Sequence, residues 1–151
     1  MSPIAQKTIA KAISQLGVEE LPKGSNAGAA VEKYLASVGL GKGYAWCEAF
    51  VYWCTKTASV ENGFKNPLSK TAGVLDQLEK SKKLKVTKPQ AGDIFIMDFG
   101  SGLGHTGFVE KVSKDIVHTI EGNTNDDGSR EGYKVCRRKR KTSTIKAFLR
   151  L

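Results

Sequence analysis

Residues 89–99 read PQAGDIFIMDF, and the patterning of the chain changes at this stretch. Before it, apolar residues recur every three or four positions, which is typical of amphipathic helices. After it, apolar residues alternate with polar ones or form short runs between turn residues, which is typical of β-strands. Helices followed by strands, without regular alternation between the two, predict an α+β fold.

Four helices are predicted before this stretch and five strands from it onward. Because the connections between the strands are short, the sheet is expected to be mostly antiparallel. Neither an internal repeat nor a linker is visible, so residues 1–151 are predicted to form a single domain. The predicted helices are residues 3–16, 27–38, 46–57 and 71–84, and the predicted strands are residues 93–99, 105–112, 116–122, 132–138 and 145–151.

The composition is ordinary for a globular protein, with 40% hydrophobic and 26% charged residues among 151. The net charge of +9 predicts an acidic partner, such as nucleic acid, an anionic membrane or an anionic cell wall. Three cysteines are too few for a disulfide framework, and neither they nor the two histidines have the spacing of a zinc site. We expect Cys54 and Cys136 to be buried apolar residues.

The first residues, MSPIAQKTIAKAISQLG, contain no continuous apolar run, so no secretory signal peptide is predicted. No stretch is long and apolar enough to span a bilayer. We therefore expect the protein to be made in the cytoplasm. If its substrate lies outside the cell, another factor has to deliver or release it.

Cys47 is the first candidate for a catalytic role. It is predicted to lie at or near the start of the third helix, after a glycine-rich loop at residues 39–43. Unpaired backbone N–H groups and the helix dipole stabilise negative charge at such a position, so a thiolate is favoured there. The same N–H groups can stabilise an oxyanion. A single cysteine near a helix start is more often a buried apolar residue, so a base is needed as well.

His105 is the candidate base, and its partners follow from the expected hairpin. If a three-residue loop follows Val112, His105 lies opposite Asn123 on the neighbouring strand. Glu121 then shares a face with Asn123, because strand side chains repeat every two residues. A carboxylate and an amide can orient an imidazole base. His118 falls on the other face and is not expected to be catalytic. A two-residue turn would shift the register by one and separate these groups.

Four motifs resemble those of the CHAP family, the cysteine, histidine-dependent amidohydrolases/peptidases. They occur in the order that the family has, and together they cover roughly residues 20–125. They are YAWCEAFVYWC at 44–54 around the nucleophile, PQAGDIF at 89–95 before a strand, GHTGFVEKV at 104–112 on the histidine strand, and IEGNT at 120–124 with the third and fourth residues.

The resemblance implies a papain-like fold in which the cysteine helix packs on an antiparallel sheet. It implies Cys47 as the nucleophile and His105 as the base. Glu121 would orient His105, and Asn123 would be a further polar partner. It also implies cleavage of peptidoglycan, either at the amide between sugar and peptide or within the peptide, without a cofactor.

One departure from the family concerns metal binding. Some members bind calcium through aspartates just before the cysteine, whereas residues 37–46 of this chain contain no carboxylate. Calcium needs several oxygen ligands, most of them charged. The sequence therefore predicts an enzyme without a bound metal.

The last sixteen residues, 136–151, contain seven lysines and arginines and no acidic residue. The core of this segment is Arg137–Lys141. No recognition motif or aromatic platform for nucleic acid accompanies it, so no specific nucleic-acid binding is expected. An anionic cell-envelope surface explains the charge equally well, and adsorption to it should weaken with salt.

Aromatic residues surround the candidate nucleophile. Trp46, Phe50 and Trp53 form one stripe on the third helix, and they are expected to lie in the core rather than in a sugar-binding groove. Tyr44 is a weaker candidate that could help to stabilise an oxyanion.

These observations leave several functions open. The first is a monomeric phage endolysin that degrades the host cell wall by Cys-His chemistry. An injected antibacterial effector would use the same chemistry and would need an immunity protein, and the chain does not choose between the two. The sequence is also compatible with a non-catalytic basic wall-binding module and with a cysteine protease that acts on ordinary proteins.

Overall fold

A computed structural model describes residues 1–124 and 132–151; residue 125, the last of the region that resembles the family, lies outside them. The described chain contains four α-helices followed by a six-stranded antiparallel sheet, so the predicted α+β class is confirmed. The helices are α1 (Pro3–Ser14), α2 (Ala29–Ser37), α3 (Cys47–Asn62) and α4 (Val74–Lys80). The strands are β1 (Lys85–Val86), β2 (Ile94–Gly100), β3 (Leu103–Ser113), β4 (Ile116–Thr124), β5 (Lys134–Lys141) and β6 (Ala147–Leu149), in the spatial order β1-β6-β2-β3-β4-β5.

Several element boundaries differ from those predicted. The third helix was expected to end at residue 57, but α3 continues to Asn62, where Gly63 adopts a left-handed φ of 71° and its N–H donates to the Ser59 carbonyl. The fourth helix is shorter than predicted, and a 3₁₀ turn at Lys82–Leu84 follows it. Strand β1 was not predicted, because two residues are too short to show an alternating pattern.

The main core lies between the helices and one face of the sheet. Helix α3 is central, and it packs against α1, α2, β3 and β4. Alternation along the strands places Ile94, Ile96, Phe108 and Ile120 on this face, and all four are fully buried. Burying each such side chain contributes about 1.5–3 kcal/mol, so this layer fixes α3 against the sheet.

A smaller apolar cluster lies on the opposite face of the sheet. Its buried members are Phe95, Met97, Val109, Val117 and Phe148. Met97 is the pairing partner of His105 in the β2–β3 ladder, so the imidazole projects from this second face.

The turn of the β3–β4 hairpin differs from the prediction. The expected three-residue loop would have paired Val112 with Ile116. Instead, Ser113 pairs with Ile116, and a two-residue turn joins the strands. Lys114, the first residue of this turn, has a left-handed φ of 58°, which tight hairpin turns require.

A β-bulge at Glu110 compensates for the shorter turn. The register shifts between Val109 and Lys111, so Glu110 is an extra residue on β3 without a partner on β4. Beyond the bulge, Phe108 pairs with Ile120, which is the register predicted from the longer loop. The prediction of the turn was wrong, but the predicted register is confirmed at Phe108 and Ile120.

Candidate active site

Cys47 is the first residue of α3, and only 4% of its surface is exposed. The residue before it, Trp46, is fully buried and held from two directions. Its indole Nε1 donates to the buried carboxylate of Glu20 at 2.9 Å, and its backbone N–H donates to Oδ1 of Asn123 at 2.8 Å. These two hydrogen bonds fix the position at which α3 begins, and therefore the position of the thiol.

Gly122 allows the start of α3 to approach the sheet closely. A Cβ atom at this position would lie 2.8 Å from the side chains of Trp46 and Phe50, which is too short for any real contact. A residue without a side chain is therefore required here, and its neighbours in the IEGNT motif lie beside the helix start.

His105 is 1% exposed, and its Nε2 lies 2.8 Å from Oε1 of Glu121. Burial alone would lower the pKa of the imidazole. The nearby Cys47 sulfur and the hydrogen-bonded Glu121 carboxylate outweigh burial and raise the pKa of His105 to about 9. Among the described residues the other ring nitrogen, Nδ1, has no hydrogen-bond partner. The arrangement thus favours an imidazolium beside the sulfur.

Glu121 is fully buried and accepts hydrogen bonds on both oxygens. Burial would raise its pKa, but hydrogen bonds from Arg140 and His105 lower the pKa of Glu121 to about 2. The Thr119 hydroxyl adds a further hydrogen bond to Oε2 at 2.6 Å. The carboxylate is therefore charged at neutral pH, and it can hold the imidazolium in place.

The structure brings Cys47, His105 and Glu121 together, but it places Asn123 differently from the expectation. The Asn123 side chain accepts from the Trp46 backbone and donates to the Gly132 carbonyl at 2.6 Å, so it bridges the helix start rather than the imidazole. Its backbone has a left-handed φ of 57°, which asparagine tolerates and which interrupts the strand alternation.

A match to a known domain decides the family. The model of the CHAP domain matches residues 39–123, which is more than half of the chain and contains the residues just described. The chain belongs to the CHAP family. No curated protein matches it significantly.

Two solved structures share the fold of this CHAP protein. The crystal structure of Ly7917 is 18% identical with a TM-score of 0.57, over 97% of this chain and 61% of that one. The structure of Ly7917 with the hydrolyzing product of MDP is 17% identical with a TM-score of 0.56, over 97% and 62%. The chain thus spans about three-fifths of the length of Ly7917, and at this identity the likeness shows the fold.

Arg140 is the part of this CHAP site that sequence reasoning missed. It was grouped with the other basic residues of β5 as a contact for an anionic surface. In the structure its guanidinium forms a two-pronged ion pair with Glu121. The signal that would have found it is the buried position expected for Glu121, because a buried carboxylate needs a cation or several donors.

The remaining candidates lie mostly as expected. Trp46 and Phe50 are buried in the core, whereas Trp53 is half-buried. Tyr44 is 55% exposed. Alternation along β4 places His118 on the face opposite to Glu121, as predicted. Cys54 is buried, but the expectation that Cys136 is also buried was wrong, because its edge strand leaves it half-exposed.

Within residues 1–124 and 132–151, no group of three or more histidine, cysteine, aspartate or glutamate side chains is arranged to hold a metal ion. In the same part of the chain, no helix has both the length and the apolar character needed to cross a bilayer.

The hydrogen bond from Trp46 to Asn123 predicts a stability effect. Asn123→Ala leaves a buried N–H without an acceptor, which costs about 1–3 kcal/mol of unfolding free energy. Urea denaturation measures it. Asn62→Ala is the matched control, because that amide bonds to the Ala58 carbonyl at the other, exposed end of α3. Equal losses in the two variants would contradict a special role for Asn123 at the helix start.

Proposed function

We propose that this CHAP protein is a peptidoglycan hydrolase that cleaves an amide bond, with Cys47 as nucleophile and His105 as base. The observation that carries the proposal is the buried pair of His105 and Glu121, joined at 2.8 Å, near Cys47 at the start of α3. The structure of Ly7917 with the hydrolyzing product of MDP, a peptidoglycan-derived compound, supports the class of substrate.

The reaction begins with attack of the Cys47 thiolate on the amide carbonyl carbon. The carbonyl oxygen becomes an oxyanion, and backbone N–H groups in the first turn of α3 stabilise it. As the C–N bond breaks, the imidazolium of His105 gives its proton to the leaving amine, and a thioester remains on Cys47. Water then attacks the thioester and gives a proton to His105. The C–S bond breaks, releasing a carboxylic acid and restoring the thiolate–imidazolium pair.

Glu121 determines which ring nitrogen takes part in this proton transfer. The carboxylate accepts from Nε2 of His105, so that nitrogen keeps its proton throughout the cycle. Nδ1 remains to exchange a proton with the thiol and the leaving amine. Hydrogen bonds of this kind are often long before substrate binds, which agrees with the unpaired Nδ1 in the described residues.

Digestion of purified peptidoglycan tests the proposal and identifies the bond. A sugar–peptide amidase releases whole stem peptides with a new amino terminus, whereas an endopeptidase leaves shortened peptides on the sugar. Mass spectrometry of the fragments distinguishes the two. Fragments cut only between sugars, or no fragments at all, would contradict amide hydrolysis of peptidoglycan.

For the biological role, we propose a monomeric phage endolysin in which residues 1–151 form one catalytic domain. It would be made in the cytoplasm and would reach the wall after release. An injected antibacterial effector with the same chemistry is the alternative, and a neighbouring gene for an immunity protein would favour it. Neither role requires a metal or another cofactor.

Adsorption to an anionic envelope surface is also proposed, but not through the whole basic segment. Arg137 pairs with Glu110 through two contacts of 2.8 Å, and Arg140 pairs with Glu121. Lys139 and Lys141 are exposed residues of the same strand, and no ion pair involves them within the described residues. They are the candidates in β5 for contact with envelope phosphates.

A paired charge reversal tests this contact. Lys139→Glu combined with Lys141→Glu should weaken binding to purified walls several-fold at low salt, and the difference should shrink at high salt because exposed charges are screened. Lys7→Glu combined with Lys65→Glu changes the net charge equally at other exposed positions. If both pairs weaken sedimentation with walls to the same extent, net charge rather than β5 determines adsorption.

A further inference from the structure

We propose that Arg140 is a positioning residue of the active site, which holds the Glu121 carboxylate in the orientation that His105 requires. This inference rests on the proposed Cys-His mechanism. Arg140 lies on β5, two strands away from His105, and it acts on the imidazole only through Glu121.

The geometry of the ion pair is specific. Arg140 Nε donates to Oε2 of Glu121 at 2.7 Å, and Nη2 donates to Oε1 at 2.5 Å. A planar guanidinium fork matches the two oxygens of a carboxylate, so this pairing fixes the rotation of the carboxylate as well as its position. The Arg140 side chain is 11% exposed and that of Glu121 is fully buried, so water competes little for either group.

The acceptor capacity of Glu121 is fully used. A carboxylate offers about four lone-pair sites. His105 Nε2 and the Thr119 hydroxyl take one each, and Arg140 takes two. Rotation of the carboxylate away from His105 would therefore break several bonds at once. Removal of Arg140 would empty two of the sites and release this constraint.

Apolar packing holds the guanidinium from a second direction. Its central carbon lies 5.9 Å from the centre of the Phe95 ring, and the same ring lies 6.0 Å from the centre of the His105 ring. Phe95 is fully buried, and Gly107 leaves space for it, because a Cβ there would lie 2.9 Å from both Phe95 and Glu121. Arg140, Phe95 and His105 thus form one packed unit around the carboxylate.

Arg137 shows that this arrangement is not a general property of the strand. It forms an equally well-shaped ion pair with Glu110, but its side chain is 55% exposed and lies on the other face of β5. Ion pairs at such positions contribute little to stability. Arg137 is therefore a matched control for Arg140, with the same residue type and the same kind of partner.

The electrostatic consequence can be followed through the charged groups around Glu121. Arg140 from β5 and His105 from β3 act directly on the carboxylate, while Cys47 from α3 acts on His105 and Cys136 from β5 acts on Arg140. Without Arg140, His105 is the one cation left beside the buried carboxylate among the described residues, so the pKa of Glu121 rises from about 2 and the carboxylate takes up a proton at a higher pH. At acidic pH His105 then loses the negative charge of Glu121 that orients it.

The test compares Arg140→Gln, Arg140→Lys and Arg137→Gln in the full chain. Wall hydrolysis should fall about 100-fold in Arg140→Gln, since a small misplacement of a catalytic group has an effect of that order. Arg140→Lys keeps the charge but not the fork, so it should restore part of the rate. Arg137→Gln should hydrolyse walls like the native protein.

A second readout does not depend on peptidoglycan. The rate of iodoacetamide alkylation, measured at Cys47 by peptide mass spectrometry across pH, should begin to rise only at a higher pH in Arg140→Gln than in the native protein. If Arg140→Gln shows this shift relative to the native protein but the native protein degrades no wall, the proposed function is refuted and the positioning role stands.

Two outcomes would overturn the positioning role. One is a folded Arg140→Gln variant whose hydrolysis and alkylation profiles match those of Arg137→Gln. The other is an Arg140→Gln variant that does not fold together with a folded Arg140→Lys variant whose alkylation profile is native, because Arg140 would then act on stability alone. A shifted profile in Arg140→Lys supports the proposal even when Arg140→Gln is unfolded.

Discussion

The Cys47→Ala variant should hydrolyse purified cell walls at no more than the background rate, while it folds and binds walls like the native protein. The expected loss is about 10⁴-fold or more, because residues that act as one catalytic unit each remove most of the rate when deleted. Alanine cannot form the thioester on which the proposed mechanism depends. Loss of turbidity of a wall suspension measures the rate, and sedimentation with walls measures binding.

Cys54→Ala is the matched control for this prediction. Cys54 lies on the same helix and is buried, but it is two turns away from the start of α3. Deletion of its sulfur leaves a small cavity and costs some stability without touching the reacting atoms. Wall lysis that survives in Cys47→Ala, or that disappears equally in a folded Cys54→Ala variant, would end the assignment of Cys47 as nucleophile.

The His105→Gln variant should lose wall hydrolysis by a similar factor, and its Cys47 should react slowly with iodoacetamide at neutral pH. Without the imidazolium, the thiolate loses its neighbouring positive charge and the leaving amine loses its proton donor. His118→Gln is the control, since it removes the other histidine of the chain from the opposite face of β4. Equal activity of the two variants would exclude His105 as the base.

The raised pKa of His105 makes both activity and stability depend on pH. Its pKa is raised from 6.5 to about 9 in the folded protein, so folding favours the protonated form. The stability that this provides is fully present below about pH 6.5, and it is lost as the pH rises toward 9. Hydrolysis should fall over the same alkaline range as the imidazolium loses its proton. Urea unfolding at pH 6 and pH 9 should show the loss in the native protein and a much smaller one in His105→Gln.

The sequence predicted the fold well where its signals are local and repeated. The period of about 3.6 in the first half and the alternation in the second half were enough for the four helices and for five of the six strands in the described part of the chain. The boundaries were less accurate where tertiary contacts decide them. Strand β1 has only two residues, and it forms because Lys85 and Val86 pair with β6. This pairing cannot be predicted from the local sequence pattern.

The alignment of the two strands that carry the site was predicted for the wrong reason. The sequence gives no indication of a bulge at Glu110, since a glutamate in a strand is equally compatible with regular pairing. Without that bulge, the two-residue turn would have moved the side chains of β4 to the other face relative to β3. The error at the turn and the unrecognised bulge cancelled each other.

Two features of the site could not be predicted from strand alternation. The left-handed backbone of Asn123 turns its amide toward the start of α3. The hydrogen bond from the Trp46 backbone, a contact between residues distant in sequence, stabilises this conformation. Arg140 was hidden in a run of basic residues, where a pattern of charge does not reveal which side chain is buried. Both depend on neighbours that are distant along the chain.

The hairpin between β3 and β4 suggests how relatives of this protein can change length without losing the site. Because Glu110 has no partner on β4, its deletion would leave the pairs on either side of it, Val109 with Thr119 and Lys111 with His118, unchanged. Relatives that lack a residue at this position are therefore expected to have a regular ladder in place of the bulge and to keep the same side chains on each face of the two strands.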